Sequence, residues 1–388
     1  MIRKIIIYIL SAFMLMSCEN ITSSDTTSSN QGNGNLYVAL QGMGNKVAIL
    51  NPENLQLIEM VDVNLSDGQI MMEMPHYIAV DSGAGYWFVT TMGSSSVGMY
   101  SMSDNQLLDV ISLESPPALF EIDTNTQSLY VSRMPNVDLM GSGMPMGSNS
   151  SVIDKIHYSS NEMSLELNYD TGLPSPHAIS ISEFGDKIMS ASLTYDFLTE
   201  IHVGSGDIQN ISLDSSINPD PIPDINRLKP LEIVQGNNFA FVNCMGGAWN
   251  DEMVNGRVQV WNVENLSKVS EYQFGSDSNP WHLVHHPSEN KIYVVLSGYL
   301  DGSTGESGLV QLSYDETGVL TLDWENKESS LKLLHGIDIS QDSEYVYVSS
   351  RDGRIFKFSS ISGDLLESID LSSSEMPYPA PGGIKVNY

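Results

Sequence analysis

The chain has 388 residues, 41% of them hydrophobic and 17% charged, a balance that excludes a disordered chain and belongs to a folded body. With 17 Lys+Arg against 48 Asp+Glu, the formal net charge is −31. A surface this acidic repels phosphate backbones, which sets nucleic acid aside as a partner; it fits plain solubility or a face that gathers cations.

At the N-terminus Arg3 and Lys4 precede an apolar run over residues 5–16, too short to span a bilayer comfortably. The run ends Leu15-Met16-Ser17-Cys18, which resembles the lipobox of bacterial lipoproteins. That resemblance implies a signal peptide over residues 1–17, cleavage before Cys18 and lipidation of Cys18. Glu19 in place of Asp at the next position then points to an outer-membrane lipoprotein of the cell envelope, facing the periplasm or the exterior. Several acyl chains make such a membrane anchor stable. Residues 18–34 are rich in Ser, Thr, Asn and Gly and read as a flexible tether. Cys244 is the one other cysteine, so no intramolecular disulfide is expected.

From residue 35 onward the chain is a succession of short β-rich runs, the first three at 36–40, 46–50 and 57–61, separated by Gly, Asn and Pro turns. One stretch then recurs as Pro75-His76-Tyr77-Ile78, Pro117-Ala118-Leu119-Phe120, Pro176-His177-Ala178-Ile179, Pro230-Leu231-Glu232-Ile233, Trp281-His282-Leu283-Val284, Leu334-His335-Gly336-Ile337 and Pro381-Gly382-Gly383-Ile384. Each of the first six opens four β-rich runs. A four-stranded antiparallel unit of about 40–55 residues, repeated, predicts a β-propeller, because one such sheet cannot bury both faces alone. The N-terminus supplies three strands and the C-terminus one. The expected fold is therefore all-β: a seven-bladed propeller over residues 35–388, closed by the C-terminal strand joining the three N-terminal strands, with no exposed sheet edge left over. A monomer is expected.

The unit Gly336-Ile337-Asp338-Ile339 followed by Tyr345-Val346-Tyr347-Val348-Ser349 resembles the surface-layer/YVTN β-propeller repeat. So does Asn35-Leu36-Tyr37-Val38-Ala39 followed by Val47-Ala48-Ile49-Leu50-Asn51. The resemblance implies the propeller and leaves function open, since that fold hosts scaffolds, binders and enzymes.

In a propeller the first strand of each blade lines the central channel. His76, His177, His282 and His335 are therefore expected at one repeat position, ringing one mouth. The loops between second and third strands open on the same face and are rich in sulfur: Met92, Met134, Met140, Met144 and Met146, then Cys244, Met245 and Met253. Imidazole, thioether and thiolate together form a soft ligand set that suits copper. The candidate metal ligands are His76, His177, His282, His335, Met134, Met144, Met146 and Cys244. The plainer alternative is structural: the imidazoles bond backbone carbonyls of the next blade, and the methionines form an apolar lid or partner-binding surface. His157, His202, His285 and His286 are expected away from the mouth, and Asp81, Asp123, Asp338 and Asp342 are expected to cap turns on the opposite face.

No acid–base pair, nucleophile elbow, haem-attachment or phosphate-loop motif stands out. The leading expectation is accordingly not an enzyme but a lipid-anchored binding or scaffold module, presenting its loop-rich face to a protein or small-molecule ligand. A copper-binding or copper-redox protein is the first alternative. A lactonase-like hydrolase is the second, since seven-bladed lactonases also carry Pro-His where blades begin.

Overall fold

A computed structural model describes residues 34–42, 44–134, 150–219, 225–298 and 306–387. Cys18, the signal segment, nearly all of the tether, and Met140, Met144 and Met146 lie outside them.

Within each repeat, runs of β-branched and aromatic residues form the inner strands of a blade and are buried on both faces. Phe239–Cys244, a second strand, is buried throughout. Fourth strands such as Leu365–Asp370 lie at the rim and are mostly exposed. The described residues form seven four-stranded antiparallel sheets plus one two-stranded hairpin. Six blades follow chain order. They open with Pro75–Asp81, Pro117–Asp123, Pro176–Ile181, Pro230–Gly236, Pro280–His285 and Leu334–Ile339. In the seventh, Pro381–Asn387 pairs with Asn35–Leu40, Val38 lying opposite Ile384. The expected propeller and its expected closure are both what the chain forms.

The first strands touch one another in a closed ring, the seventh blade's packing against both the sixth and the first. No blade has a core of its own. Each of seven apolar clusters straddles two neighbouring blades, for example Tyr37, Val47, Ile78, Trp87 and Val89 at the seam of the seventh and first, and Phe241, Val260, Leu283 and Val294 at the seam of the fourth and fifth. The stabilisation is thus shared around the ring, and it makes the channel wall a rigid frame for whatever the first strands carry.

Candidate active site

Three repeated backbone devices build the mouth of the channel. The residue before the first strand is left-handed in six blades: Met74 (φ 54°), Ser175 (φ 55°), Lys229 (φ 57°), Asn279 (φ 42°), Leu333 (φ 50°) and Ala380 (φ 45°). That conformation costs an ordinary residue about 1–2 kcal/mol, and here it turns the chain down into the channel. Immediately afterwards the register of first against second strand shifts, between Pro75 and Ile78 and at the equivalent place in the other blades. Such a bulge re-aims the side chains around it. Finally, the residue just past each second strand donates its N–H to the carbonyl of the residue before the first strand: Gln41 to Ala380 and Met92 to Met74, with Met134, Leu193, Met245, Ser297 and Arg351 doing likewise in their blades.

Two rings of side chains result, and together they enclose a cavity of about 520 Å³. The upper ring contributes Gln41, Met92, Met134, Leu193, Met245 and Arg351; the lower contributes His76, His177, Leu231, Trp281 and His335. His282 lines the cavity too, but not from the expected position. Counting from Pro280, Trp281 holds the place of His76, His177 and His335, and His282 stands one residue deeper. The bulge lets both residues reach the channel. The four rings nonetheless converge: centroids are 5.0 Å apart for His282 and His335, and 6.3 Å for His76 with His335 and for His76 with His177. Gly382 and Gly383 of the seventh blade make this possible. A Cβ on Gly382 would lie 2.3 Å from the Gln41 amide, and one on Gly383 2.8 Å from the His76 carbonyl.

Hydrogen bonding gives the imidazoles different roles. Arg351 Nη2 donates to Gln41 Oε1 at 2.9 Å, and a guanidinium only donates. The Gln41 amide must therefore turn its NH₂ to His76 Nδ1, 2.6 Å away. His76 Nδ1 accepts, which places its proton on Nε2, a buried atom with no partner among the described residues. His177 is the reverse: its Nδ1 donates to the Leu231 carbonyl of the next blade at 2.8 Å. This is the structural bond expected from the repeat. His282 Nδ1 stands 2.9 Å from Glu232 Oε2, within ion-pair distance though without hydrogen-bond geometry. Glu232 is itself fixed by the Leu283 N–H at 2.7 Å and by the Tyr77 hydroxyl at 3.3 Å. Thus His76 carries a buried Nε2–H without a partner among the described residues, His335 Nδ1 is likewise unpartnered, and the rings of all four histidines line the cavity.

Burial keeps His76, His177 and His335 neutral. It pushes His177 down to about 4 and His76 and His335 well below the usual imidazole value, with neighbouring imidazoles adding to the fall. In a chain of net charge −31, no carboxylate is among the described residues lining the cavity, whereas Lys229 and Arg351 both are. Acidic groups sit deeper. Asp338, expected to cap a turn, lines the channel, accepting the Val386 N–H at 2.8 Å and pairing with Lys385 Nζ at 3.2 Å. Burial lifts Glu121, facing the same stretch, to about 7, against the pull of Lys385 and with the push of Glu232 and Asp338. Asp81, Asp123 and Asp342 do cap turns, accepting from the N–H groups of Ala84, Asn125 and Glu344.

Of the expected soft ligands, Met144 and Met146 lie outside the described residues, and the structure separates Met134 from Cys244. Met134 lines the cavity, joined by Met74, Met92 and Met245. Cys244 does not. It is fully buried between Leu228, Val242 and Val254 at the seam of the third and fourth blades, and burial pushes its thiol up, away from the thiolate a metal needs. It ends a second strand, and the residue that turns into the mouth is the next one, Met245. Among the described residues no group of three or more His, Cys, Asp or Glu is placed to hold one metal ion. His285 bonds the Tyr314 hydroxyl at 2.7 Å, and His286 lies in a separate surface pocket. His157 and His202 are on third strands.

Gln41, Tyr77, Glu232 and Arg351 were not singled out by sequence. Only Glu232 carried a signal, since it occupies the same repeat position as Tyr77 and His282.

No protein-family model matches the chain, and no curated protein matches it by sequence. Solved structures do. A periplasmic gluconolactonase of Pseudomonas aeruginosa, PpgL, superposes with a TM-score of 0.64 at 14% identity, over 92% of this chain and 99% of that one. A Bacteroides uniformis protein provisionally named a 6-phosphogluconolactonase gives 0.64 at 11% identity, over 92% and 100%. Kuenenia stuttgartiensis hydrazine synthase gives 0.61 at 11% identity, over 78% and 88%. Identities this low establish the shared propeller fold, and the named activities differ widely.

Proposed function

We propose that the chain is a lactonase-like hydrolase whose active site is the mouth cavity. The Glu232–His282 pair carries this reading: a carboxylate 2.9 Å from an imidazole that lines a cavity is the arrangement of a general base. Lining the same cavity, His76 carries a buried N–H with no partner among the described residues, a donor of the kind that stabilises a carbonyl oxygen. In the proposed reaction His282 Nε2 takes a proton from water, and the hydroxide adds to the lactone carbonyl carbon. The oxygen that becomes negative accepts from His76 Nε2–H. The ring C–O bond then breaks, and the departing alkoxide takes the proton back from His282, leaving a hydroxy acid. The Glu232 carboxylate beside His282 stabilises the transient imidazolium.

The fold shared with a gluconolactonase and with the Bacteroides protein supports the choice of lactone over other acyl compounds. The reading is tested by following acid release from a panel of δ-lactones, including glucono-δ-lactone and its 6-phosphate. His282→Asn should lower kcat by about 10²–10⁴-fold. Absence of hydrolysis above buffer across the panel would end the hydrolase reading. It would leave a ligand-binding propeller, a second reading that the enclosed, largely apolar wall favours. Copper is less well served by this cavity, because the Gln41–Arg351 pair leaves His76 without a bare nitrogen.

We also propose an envelope location, through lipidation of Cys18. It rests on residues 1–18 alone, and it requires palmitate labelling that Cys18→Ser abolishes.

A further inference from the structure

The two halves of the mouth are chemically different. At one repeat position the sixth and seventh blades place Arg351 and Gln41, whereas the first to fourth blades place Met92, Met134, Leu193 and Met245. His76 and His282 both line this space. Resting on the hydrolase reading above, we infer that the substrate is a lactone bearing an alkyl or acyl chain, not a polyhydroxylated sugar lactone.

The argument is one of polar satisfaction. A sugar lactone buries a hydroxyl on nearly every carbon, and each needs a partner or forfeits its hydration. Over the first to fourth blades this cavity offers mostly thioether and leucine surface, with Thr194, Asn226 and Lys229 as its few polar side chains. Methionine, unbranched and polarisable, moulds itself to chains of different length, so the wall suits a flexible hydrocarbon. The lactone carbonyl then lies at the end where His76, Gln41 and Arg351 stand. The volume, about 520 Å³, falls in the range of sites that bury a ligand well beyond the size of one six-membered ring. No carboxylate is among the described lining residues to repel the acid product, and Lys229 and Arg351 are there to receive it.

The test compares δ-valerolactone, δ-octalactone, δ-decalactone and glucono-δ-lactone with the full folded chain. kcat/KM should rise with chain length by up to about fourfold per methylene and be lowest for glucono-δ-lactone. Met134→Gln combined with Met245→Gln should flatten the chain-length series. Glucono-δ-lactone turned over as well as δ-decalactone would overturn the inference while leaving the hydrolase reading intact. If no lactone is hydrolysed, the hydrolase reading fails, and calorimetric titration with 5-hydroxydecanoate decides this inference by itself. Binding weakened in the double methionine variant supports it; no binding overturns it.

Discussion

Nδ1 of His282 stands 2.9 Å from Oε2 of Glu232, across the seam between the fifth and fourth blades. Neither residue can be orienting the other by chance of flexibility, because Glu232 is held by the Leu283 N–H from the strand that carries His282. Glu232→Gln keeps the shape of the side chain and removes the charge that stabilises an imidazolium. On the best lactone, kcat should fall about 10²-fold or more with little change in KM, and the acid limb of the pH profile should move. An unchanged kcat would remove Glu232 from the mechanism.

The relay from Arg351 through Gln41 to His76 makes a prediction visible without turnover. Gln41→Glu presents an acceptor to Nδ1 and should pull the His76 proton there from Nε2. ¹⁵N spectra of the imidazole read the tautomer directly. With the donor at the mouth lost, kcat should drop about 10²–10³-fold, the effect of removing one oxyanion donor. A wild-type spectrum already showing the Nδ1–H form would refute the relay.

Stability should fall steeply in acid. Burial holds His177 and His285 down at about 4, and His76 and His335 lower than the ordinary value, whereas in the unfolded chain each titrates near ~6.5. Between those values the unfolded state binds more protons, so stability is complete above the unfolded value and is lost as pH falls. Each histidine contributes up to about 1.4 kcal/mol per pH unit. Glu121, raised to about 7, works the other way: its contribution is present at low pH and is lost as pH rises through 7. Urea unfolding at pH 5, 6 and 7 should show stability falling towards acid, most steeply from pH 6 to 5, and His177→Gln should reduce that slope by about one proton. A flat profile from pH 7 to 5 would contradict the burial argument.

Gly383→Ala tests the packing that lets the rings converge. The new Cβ would meet the His76 carbonyl and the Tyr77 Cα at 2.8 Å, both main-chain atoms that cannot swing aside. A loss of about 1–3 kcal/mol is expected, measured as a lower denaturation midpoint at unchanged m-value. Equal stability would mean that the first and seventh blades separate freely.

Removing residues 381–388 should do more than remove one strand. Val38 and Leu36 lose their partners Ile384 and Val386, and the ring of first strands opens between the sixth and first blades. The exposed edge invites pairing with other chains. The truncated chain should lose its single cooperative transition and associate, as seen by calorimetry and light scattering. A monomeric, cooperative product would show that closure is dispensable.

Much of this was legible in the amino-acid order. Alternating β-rich runs, a stretch repeated seven times and an incomplete unit at each end determine the blades, their number and their closure, because those features depend on local pattern and on the need to bury two faces of every sheet. That the histidines share one mouth followed from the same register. Three dimensions decided the rest. The fifth blade's first strand opens at Pro280, one residue before the place that spacing assigned, so Trp281 takes the histidine position and His282 stands one residue deeper. The turn into the mouth comes one residue after the second strand, which sends Met245 to the cavity and Cys244 into the core. The Glu232–His282 pair joins strands from adjacent blades about fifty residues apart in sequence, and the relay on His76 joins Gln41 to Arg351 through the closing blade. No window along the chain contains either contact. Both arise from the curvature that brings seven first strands around one channel, and they are what give the four histidines different chemistry.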